Sequence, residues 1–242
     1  MAALITESQF ESATAASAPP MKQTPAHSVV NRDLLALMPR DARRVVEVGC
    51  MHGALARAFR EVNPKVHYCG VDIDPAYAAV AAKSCERALA GDIELFEDSL
   101  FESLFPSDCW VFGDCLEHLR DPWRLLASIR ERIDANGCLL ACIPNAQHWS
   151  VQMRLATGLF RYEDSGLLDR THLRWFTRVT MIEMFTQAGW RVQSGLARRL
   201  PQAAPPALIE GVRAIARAAG ADAEQAAEDA GVFQYLFKLV AA

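Results

Sequence analysis

Arg44-Val45-Val46-Glu47-Val48-Gly49-Cys50-Met51-His52-Gly53, continued by Ala54-Leu55-Ala56-Arg57-Ala58-Phe59, is the stretch that decides the fold. A β-branched run ending in a carboxylate, then Gly49 and Gly53, then an alanine-rich apolar segment predicts strand, tight turn and helix. Glycines let the backbone approach a ligand closely, and the free N–H groups of the new helix face whatever occupies the turn. The ligand is therefore expected to be of nucleotide type. The dinucleotide spacing Gly-x-Gly-x-x-Gly is absent, as is the Gly-Lys-Ser/Thr end of a phosphate-binding loop. Glu47 stands where a pyrophosphate would be repelled, so the expected ligand is cationic, and a nicotinamide dehydrogenase is disfavoured on the same ground.

Outward from this stretch the pattern repeats. Val29 to Met38 carries an apolar stripe that predicts a helix beside the first strand. Val66 to Asp72 reads as a second strand, and Asp74-Pro75 as the start of a helix with Asp as cap and Pro in the first turn. A weaker third strand is expected around Leu89 to Ile93, a fourth over Cys109 to Asp114 and a fifth over Cys138 to Ile143. Between the last two, Asp121-Pro122 repeats the helix-start signal, and Asn136-Gly137 stops that helix. Thr180 and Glu183 suggest a capping box opening a further helix that Gly189 closes. A sixth strand is expected from Val192 and a last from Val232 to Val240. Residues 203–231, alanine-rich with Asp222, Glu224, Glu228 and Asp229, read as a solvated surface helix or loop. Nearly all-apolar strands alternating with helices predict an α/β fold: a Rossmann-like open sheet of about seven strands, mostly parallel, with helices on both faces.

Composition narrows the function. The chain has 242 residues, 51% of them hydrophobic, enough for a full core, and a formal net charge of −4. No Lys/Arg-rich run offers a footprint for nucleic acid, and no apolar run is long enough to span a bilayer. The expected partner is a small-molecule acceptor, with no nucleic acid and no membrane, in a monomer or homodimer. Seven cysteines (50, 69, 85, 109, 115, 138 and 142) lack any Cys-x-x-Cys pair, which predicts reduced thiols and a cytoplasmic location. Residues 1–26 are expected to form a mobile arm or short helix, and 27–242 the ligand-binding domain, with an acceptor-binding insertion around 144–177.

Glu47-Val48-Gly49-Cys50 with Gly53 resembles the first motif of the class I S-adenosylmethionine-dependent methyltransferases, with Met51 where the family usually has a third glycine. Further blocks extend the resemblance along the chain. They are Ala90-Gly91-Asp92-Ile93-Glu94, Gly113-Asp114-Cys115-Leu116-Glu117-His118-Leu119-Arg120-Asp121-Pro122, Ile143-Pro144-Asn145-Ala146-Gln147-His148 and Gly166-Leu167-Leu168-Asp169-Arg170-Thr171-His172-Leu173-Arg174-Trp175-Phe176-Thr177. Together they are similar to a methyltransferase-domain subfamily of bacterial biosynthetic clusters, and the Leu-Glu-His block to the ubiquinone-biosynthesis O-methyltransferases. The resemblance implies that the last strand runs antiparallel and that the cofactor is S-adenosylmethionine. It also implies that Glu47, Gly49 and Gly53, with Cys50 and Met51, hold the methionine portion, Asp72 with Ile73 the ribose, and Asp92 with Ile93 the adenine. Asp114 and Cys115 would lie near the methyl donor.

If the acceptor is a hydroxyl its proton must leave, which calls for a base active near neutral pH. His118, His172 and His148 are the candidates, and Asn145, Tyr162 and Arg174 the candidate acceptor contacts. The histidines lie far apart without paired ligand spacing, so no metal is expected. The leading expectation is methyl transfer to a metabolite, oxygen slightly ahead of nitrogen or sulfur. Two alternatives stay open: attack at the aminocarboxypropyl carbon with release of methylthioadenosine, and a non-catalytic cofactor-binding regulator.

Overall fold

The computed structural model describes residues 24–242. The arm expected over 1–26 therefore lies, apart from its last three residues, outside the described residues. Seven strands form one sheet: β1 (Arg44–Val48), β2 (His67–Asp72), β3 (Arg87–Ala90), β4 (Cys109–Gly113), β5 (Cys138–Pro144), β6 (Trp190–Arg198) and β7 (Gln234–Ala241), in the order β3-β2-β1-β4-β5-β7-β6. The first five pair in parallel, and β7 runs antiparallel between β5 and β6. This is the Rossmann-like sheet expected, including the reversed last strand. The direction of winding changes between β1 and β4, and there the loops leaving the strands diverge and leave a crevice.

Period-two alternation sorts the strands between two cores. Val46, Val48, Trp110, Phe112 and Leu139 face one side, covered by α5 (Pro122–Arg130) and α7 (Arg178–Gln187) through Leu126, Ile129, Met184 and Phe185. Val45, Tyr68, Cys109, Val111 and Leu140 face the other, under α1 (Arg32–Leu37) and α2 (Ala54–Val62) through Leu34 and Phe59. Helix α3 (Pro75–Ala81) starts as expected: Asp74 accepts from Ala76 N–H at 2.8 Å and Pro75 opens the first turn. Short α4 (Asp98–Glu102) precedes β4, and α6 (Trp149–Ala156) follows β5.

Several expectations shift, among them the end of α5, which stops at Arg130 and not at Asn136-Gly137. Helix α1 starts at Arg32 because Asn31 caps it, accepting from Leu34 N–H at 3.1 Å. The third strand ends at Ala90, where Gly91 at φ +148° breaks the pairing. The box opening α7 is Thr177 with Thr180, one turn before the Thr180 and Glu183 expected. Segment 203–231 is two helices, α8 (Pro206–Ala218) and α9 (Ala223–Ala230), that bury Val212, Ala216, Ala227 and Ala230 and pack on Trp149. Asp229 of the supposedly solvated cluster is 3% exposed and accepts from Arg178, Tyr235 and Gln225. Alanine-rich faces hid this burial, since alanine contributes little to hydrophobic periodicity.

Candidate active site

At the carboxyl end of β1 the chain turns through Gly49 at φ +76°, Met51 at φ +45° and Gly53 at φ +69° into α2. A left-handed methionine costs roughly 1–2 kcal/mol. Its offset is visible: Met51 N–H donates to Asp72 Oδ2 at 2.7 Å. Gly49 N–H donates to Val71 O at 2.8 Å, so the turn is laced to the end of β2. A Cβ on Gly49 would stand 3.3 Å from the Cys115 side chain, which leaves no room for a larger residue beside the loop after β4. Met51 thus carries a side chain in a left-handed conformation that glycine adopts freely.

These loops enclose a cleft of about 260 Å³. Its walls include Val48, Gly49, Met51, Asp72, Ile73, Tyr77, Asp92, Ile93, Asp114, Cys115 and His118. Asp72 closes β2 and is 5% exposed; its Oδ1 accepts from Asp74 N–H at 2.9 Å, and burial raises its pKa against these bonds. Asp92 accepts from Glu94 N–H at 3.0 Å and from Arg120 Nη1 at 2.8 Å, while Glu94 accepts from the Arg120 and Asp121 N–H groups. The loops after β3 and β4 are thereby clasped into one wall. Asp114, at φ +53°, accepts from Gln234 of β7 and from the Cys142 thiol; burial pushes its pKa up to about 6 against the pull of Arg198. Four lining carboxylates, Asp72, Asp92, Glu94 and Asp114, face the single lining guanidinium of Arg120, and Val48, Val71, Ile73, Ile93, Leu119 and Leu173 supply apolar wall.

Three sequence-distant segments close one side of the cleft. Leu173 and Arg174 N–H donate to the main-chain carbonyl of Glu117, each at 2.9 Å, which pins the 169–174 loop onto the turn holding His118. His118 Nδ1 lies 3.1 Å from Thr171 O and 3.0 Å from Thr171 Oγ1. Thr171 Oγ1 donates its only proton to Asp169 Oδ1 at 2.7 Å, so both contacts of His118 Nδ1 are acceptors and that nitrogen carries the proton. Nε2 is left with a lone pair. Burial holds His118 below its usual pKa, and burial with the neighbouring His118 lowers His172 to about 4. The two rings are 4.8 Å apart edge to face. Thr24 lines the cleft, donating to Asp169 Oδ2 at 3.0 Å, and Tyr77 OH ties the same segment by donating to Thr24 O at 3.2 Å.

Other expected site residues lie elsewhere. Glu47 does not line the cleft: strand alternation turns it away from Val46 and Val48, and its Oε2 accepts from Tyr68 OH at 2.9 Å. Burial raises its pKa to about 8. Cys50 and Gly53 shape the turn from behind, Cys50 buried among the α2-side core. His148 caps α6, bonded to Ser150, and burial lowers its pKa to about 4. Asn145 donates to Asp229 O and Val232 O and so joins β5 to the α9–β7 loop. Tyr162 is exposed, and Arg174 lies over the Trp123 ring and donates to Arg120 O. Tyr77, Thr24, Glu94, Arg120 and Thr171 line the cleft without having been singled out for it; Glu94 and Arg120 sat inside quoted blocks, whereas Tyr77 had only its place three residues into a capped helix as a signal.

The description "Methyltransferase domain" belongs to the family model that matches residues 23–194. The chain belongs to this methyltransferase-domain family. No curated protein matches it. Among solved structures it is similar to the mitomycin 7-O-methyltransferase MmcR at 16% identity, with 86% of this chain and 52% of that one covered and a TM-score of 0.51. It therefore spans about half the length of that protein. The O-methyltransferase of a trans-AT PKS multienzyme of Brevibacillus brevis, in complex with S-adenosyl-L-homocysteine, is 16% identical over 87% of this chain and 71% of that one, TM-score 0.54. Magnesium protoporphyrin IX methyltransferase (ChlM) from Synechocystis PCC 6803, with bound SAH, is 10% identical over 87% and 80%, TM-score 0.55. At these identities the likeness is one of fold, and it agrees with the topology of the methyltransferase-domain sheet. In that fold the crevice beside β1 and β4 is the place for a ligand.

Proposed function

We propose that the protein transfers a methyl group from S-adenosylmethionine to a small-molecule acceptor, with oxygen as the favoured nucleophile. The carrying observation is the cleft's charge: four carboxylates against one guanidinium, with apolar walls between them, suit a cationic nucleoside and disfavour a polyanion. The residues present fit that ligand. Asp72 lines the cleft with one main-chain bond on each oxygen, which leaves acceptor capacity for ribose hydroxyls; Ile73, Ile93 and Asp92 line it for the adenine, and the Gly49–Gly53 turn presents close backbone for the amino-acid end. When bound, the sulfonium supplies an already activated methyl carbon. The chain's own task is then to exclude water and align the nucleophile. Leu119, Leu173 and Cys115 line the cleft as apolar wall, and His118 presents its Nε2 lone pair from the wall where an acceptor's hydroxyl proton would have to leave.

The 144–177 segment is proposed as the acceptor side, since its 169–174 loop closes over the cleft while 27–242 forms the binding domain around it. All seven cysteines are free thiols, six of them buried, which supports a reducing compartment such as the cytoplasm. Among the described residues no helix is long and apolar enough to cross a membrane. The test is mass spectrometry of the purified protein with S-adenosylmethionine, alone and with hydroxylated, amino and thioether metabolites. Acceptor-dependent S-adenosylhomocysteine is the expected product. Acceptor-independent methylthioadenosine above background would overturn methyl transfer, and tight binding without any product would point to a regulator.

A further inference from the structure

The clasp between the 169–174 loop and the turn after β4 brings together three donor groups that the sequence keeps apart. Glu117 Oε1, His118 and His172 each offer a ligand atom, all within 4.8 Å of one another, with His172 Nε2 to Glu117 Oε1 at 3.9 Å. Glu117 is 2% exposed, yet neither carboxylate oxygen has a hydrogen-bond partner. A buried carboxylate without partners is costly, on the order of several kcal/mol if ionised. Everything around it is satisfied: the Glu117 carbonyl takes two N–H bonds, and Asp169 takes three donors. The orphan is therefore specific to one side chain, and that side chain points at two imidazoles.

The His118 imidazole is oriented as a metal ligand is. In metal sites a histidine characteristically gives its second ring N–H to a backbone carbonyl or carboxylate, which fixes the tautomer and leaves the other nitrogen for the metal. His118 Nδ1–H is committed to Thr171, itself anchored on Asp169, and His172 brings its Nε2 to 3.9 Å from Glu117 Oε1. Two imidazoles and one carboxylate form a donor set suited to a divalent transition cation, zinc above all. Donor atoms sharing a four-coordinate zinc lie about 3.4 Å apart. Closing from separations of up to 4.8 Å needs up to about 1.4 Å, which rotation of an unbonded carboxylate and of two rings can supply.

We propose that Glu117, His118 and His172 form a divalent-cation site at the acceptor side of the cleft. It departs from the expectation of no metal, which rested on sequence separation and could not foresee the clasp. Three protein ligands leave a cation with open positions, and a hydroxyl oxygen occupying one would ionise near neutral pH. With His118 Nε2 on the cation, that ionisation, releasing the proton to solvent, would replace proton uptake by the free imidazole; this last role alone rests on the methyl-transfer reading, whereas the site itself does not.

Chelator-treated full-length protein titrated with Zn(II) by calorimetry, and with Co(II) by visible absorbance, tests the site. One equivalent is expected to bind with a nitrogen- and oxygen-ligand cobalt spectrum, and Glu117→Gln and His172→Asn should each weaken zinc by at least roughly tenfold. Absence of saturable binding, or binding unchanged in both variants, would overturn the proposal. Should either variant fail to fold, paramagnetic Co(II) broadening of the His118 and His172 ring signals in the unmodified protein decides the matter, and unbroadened rings would overturn it. S-adenosylhomocysteine affinity measured in parallel separates the two readings. Zinc binding without nucleoside binding leaves the site standing and removes the proposed function; nucleoside binding and methyl transfer without saturable zinc binding do the reverse.

Discussion

Glu47 offers a test of the electrostatics that needs no knowledge of the acceptor. Its carboxyl lies in the core on the α2 side of β1, held by Tyr68 OH, and burial moves its pKa from 4.5 to about 8. A carboxyl with a raised folded pKa binds more protons folded than unfolded, so its contribution to stability falls as pH rises from about 4.5 to about 8. Each pH unit across that window costs about 1.4 kcal/mol, or on the order of 3 kcal/mol by neutral pH. Glu47→Gln removes the titration and keeps an acceptor for Tyr68. Its new amide N–H group adds a constant offset of about 1–3 kcal/mol for an unpaired donor, which does not vary with pH. Urea unfolding of both proteins, followed by circular dichroism from about pH 5 to about pH 8, should show the variant gaining on the parent by roughly 1 kcal/mol per pH unit. A difference that stays flat across the window would mean that the carboxyl is ionised in the folded chain and would refute the reasoning.

Three further substitutions probe the cleft and its supports. Asp72→Asn should weaken S-adenosylhomocysteine binding roughly ten- to hundredfold, the worth of hydrogen bonds to a charged acceptor, and unchanged affinity by calorimetry would remove Asp72 from the site. Gly49→Ala forces a side chain into φ +76° with its Cβ 3.3 Å from Cys115, so a loss of about 1–2 kcal/mol on urea unfolding is expected, and a neutral result would contradict the turn geometry. Asp229→Ala strips Arg178, Gln225 and Tyr235 of a shared acceptor and should cost about 3 kcal/mol, whereas Glu228→Ala beside it, with a side chain 65% exposed, should stay within about 0.5 kcal/mol; equal effects would deny Asp229 its structural role.

What could be read from the residues alone was whatever depends on local chemistry. The Gly49–Gly53 turn, the Asp74-Pro75 and Asp121-Pro122 helix starts and the all-apolar strands each carry their own signal within a few residues, and each forms where expected. The carboxylates Asp72, Asp92 and Asp114 were legible for the same reason, because strand ends in an open α/β sheet converge on one crevice. Burial in an alanine-rich element was not: α9 presents small side chains, and only its packing on α8 and Trp149 shows which face is inside. Nor was the direction of the Glu47 side chain, since alternation makes every second position face away from its neighbours and no local signal says which core a lone carboxylate enters.

The histidines show the sharper boundary. Sequence spacing detects ligands that share a helix or a hairpin, because the element itself fixes their distance. His118 and His172 share neither; their approach is set by two backbone bonds to the Glu117 carbonyl and by the Thr171 contact. The same clasp positions Leu173 on the cleft wall, buries the Glu117 carboxylate and brings Asp169 within reach of Thr24. Loosening it would therefore disturb the apolar wall, the imidazole pair and the tie to the 24–26 segment together. One main-chain carbonyl thus couples this side of the cleft to residues 24–26.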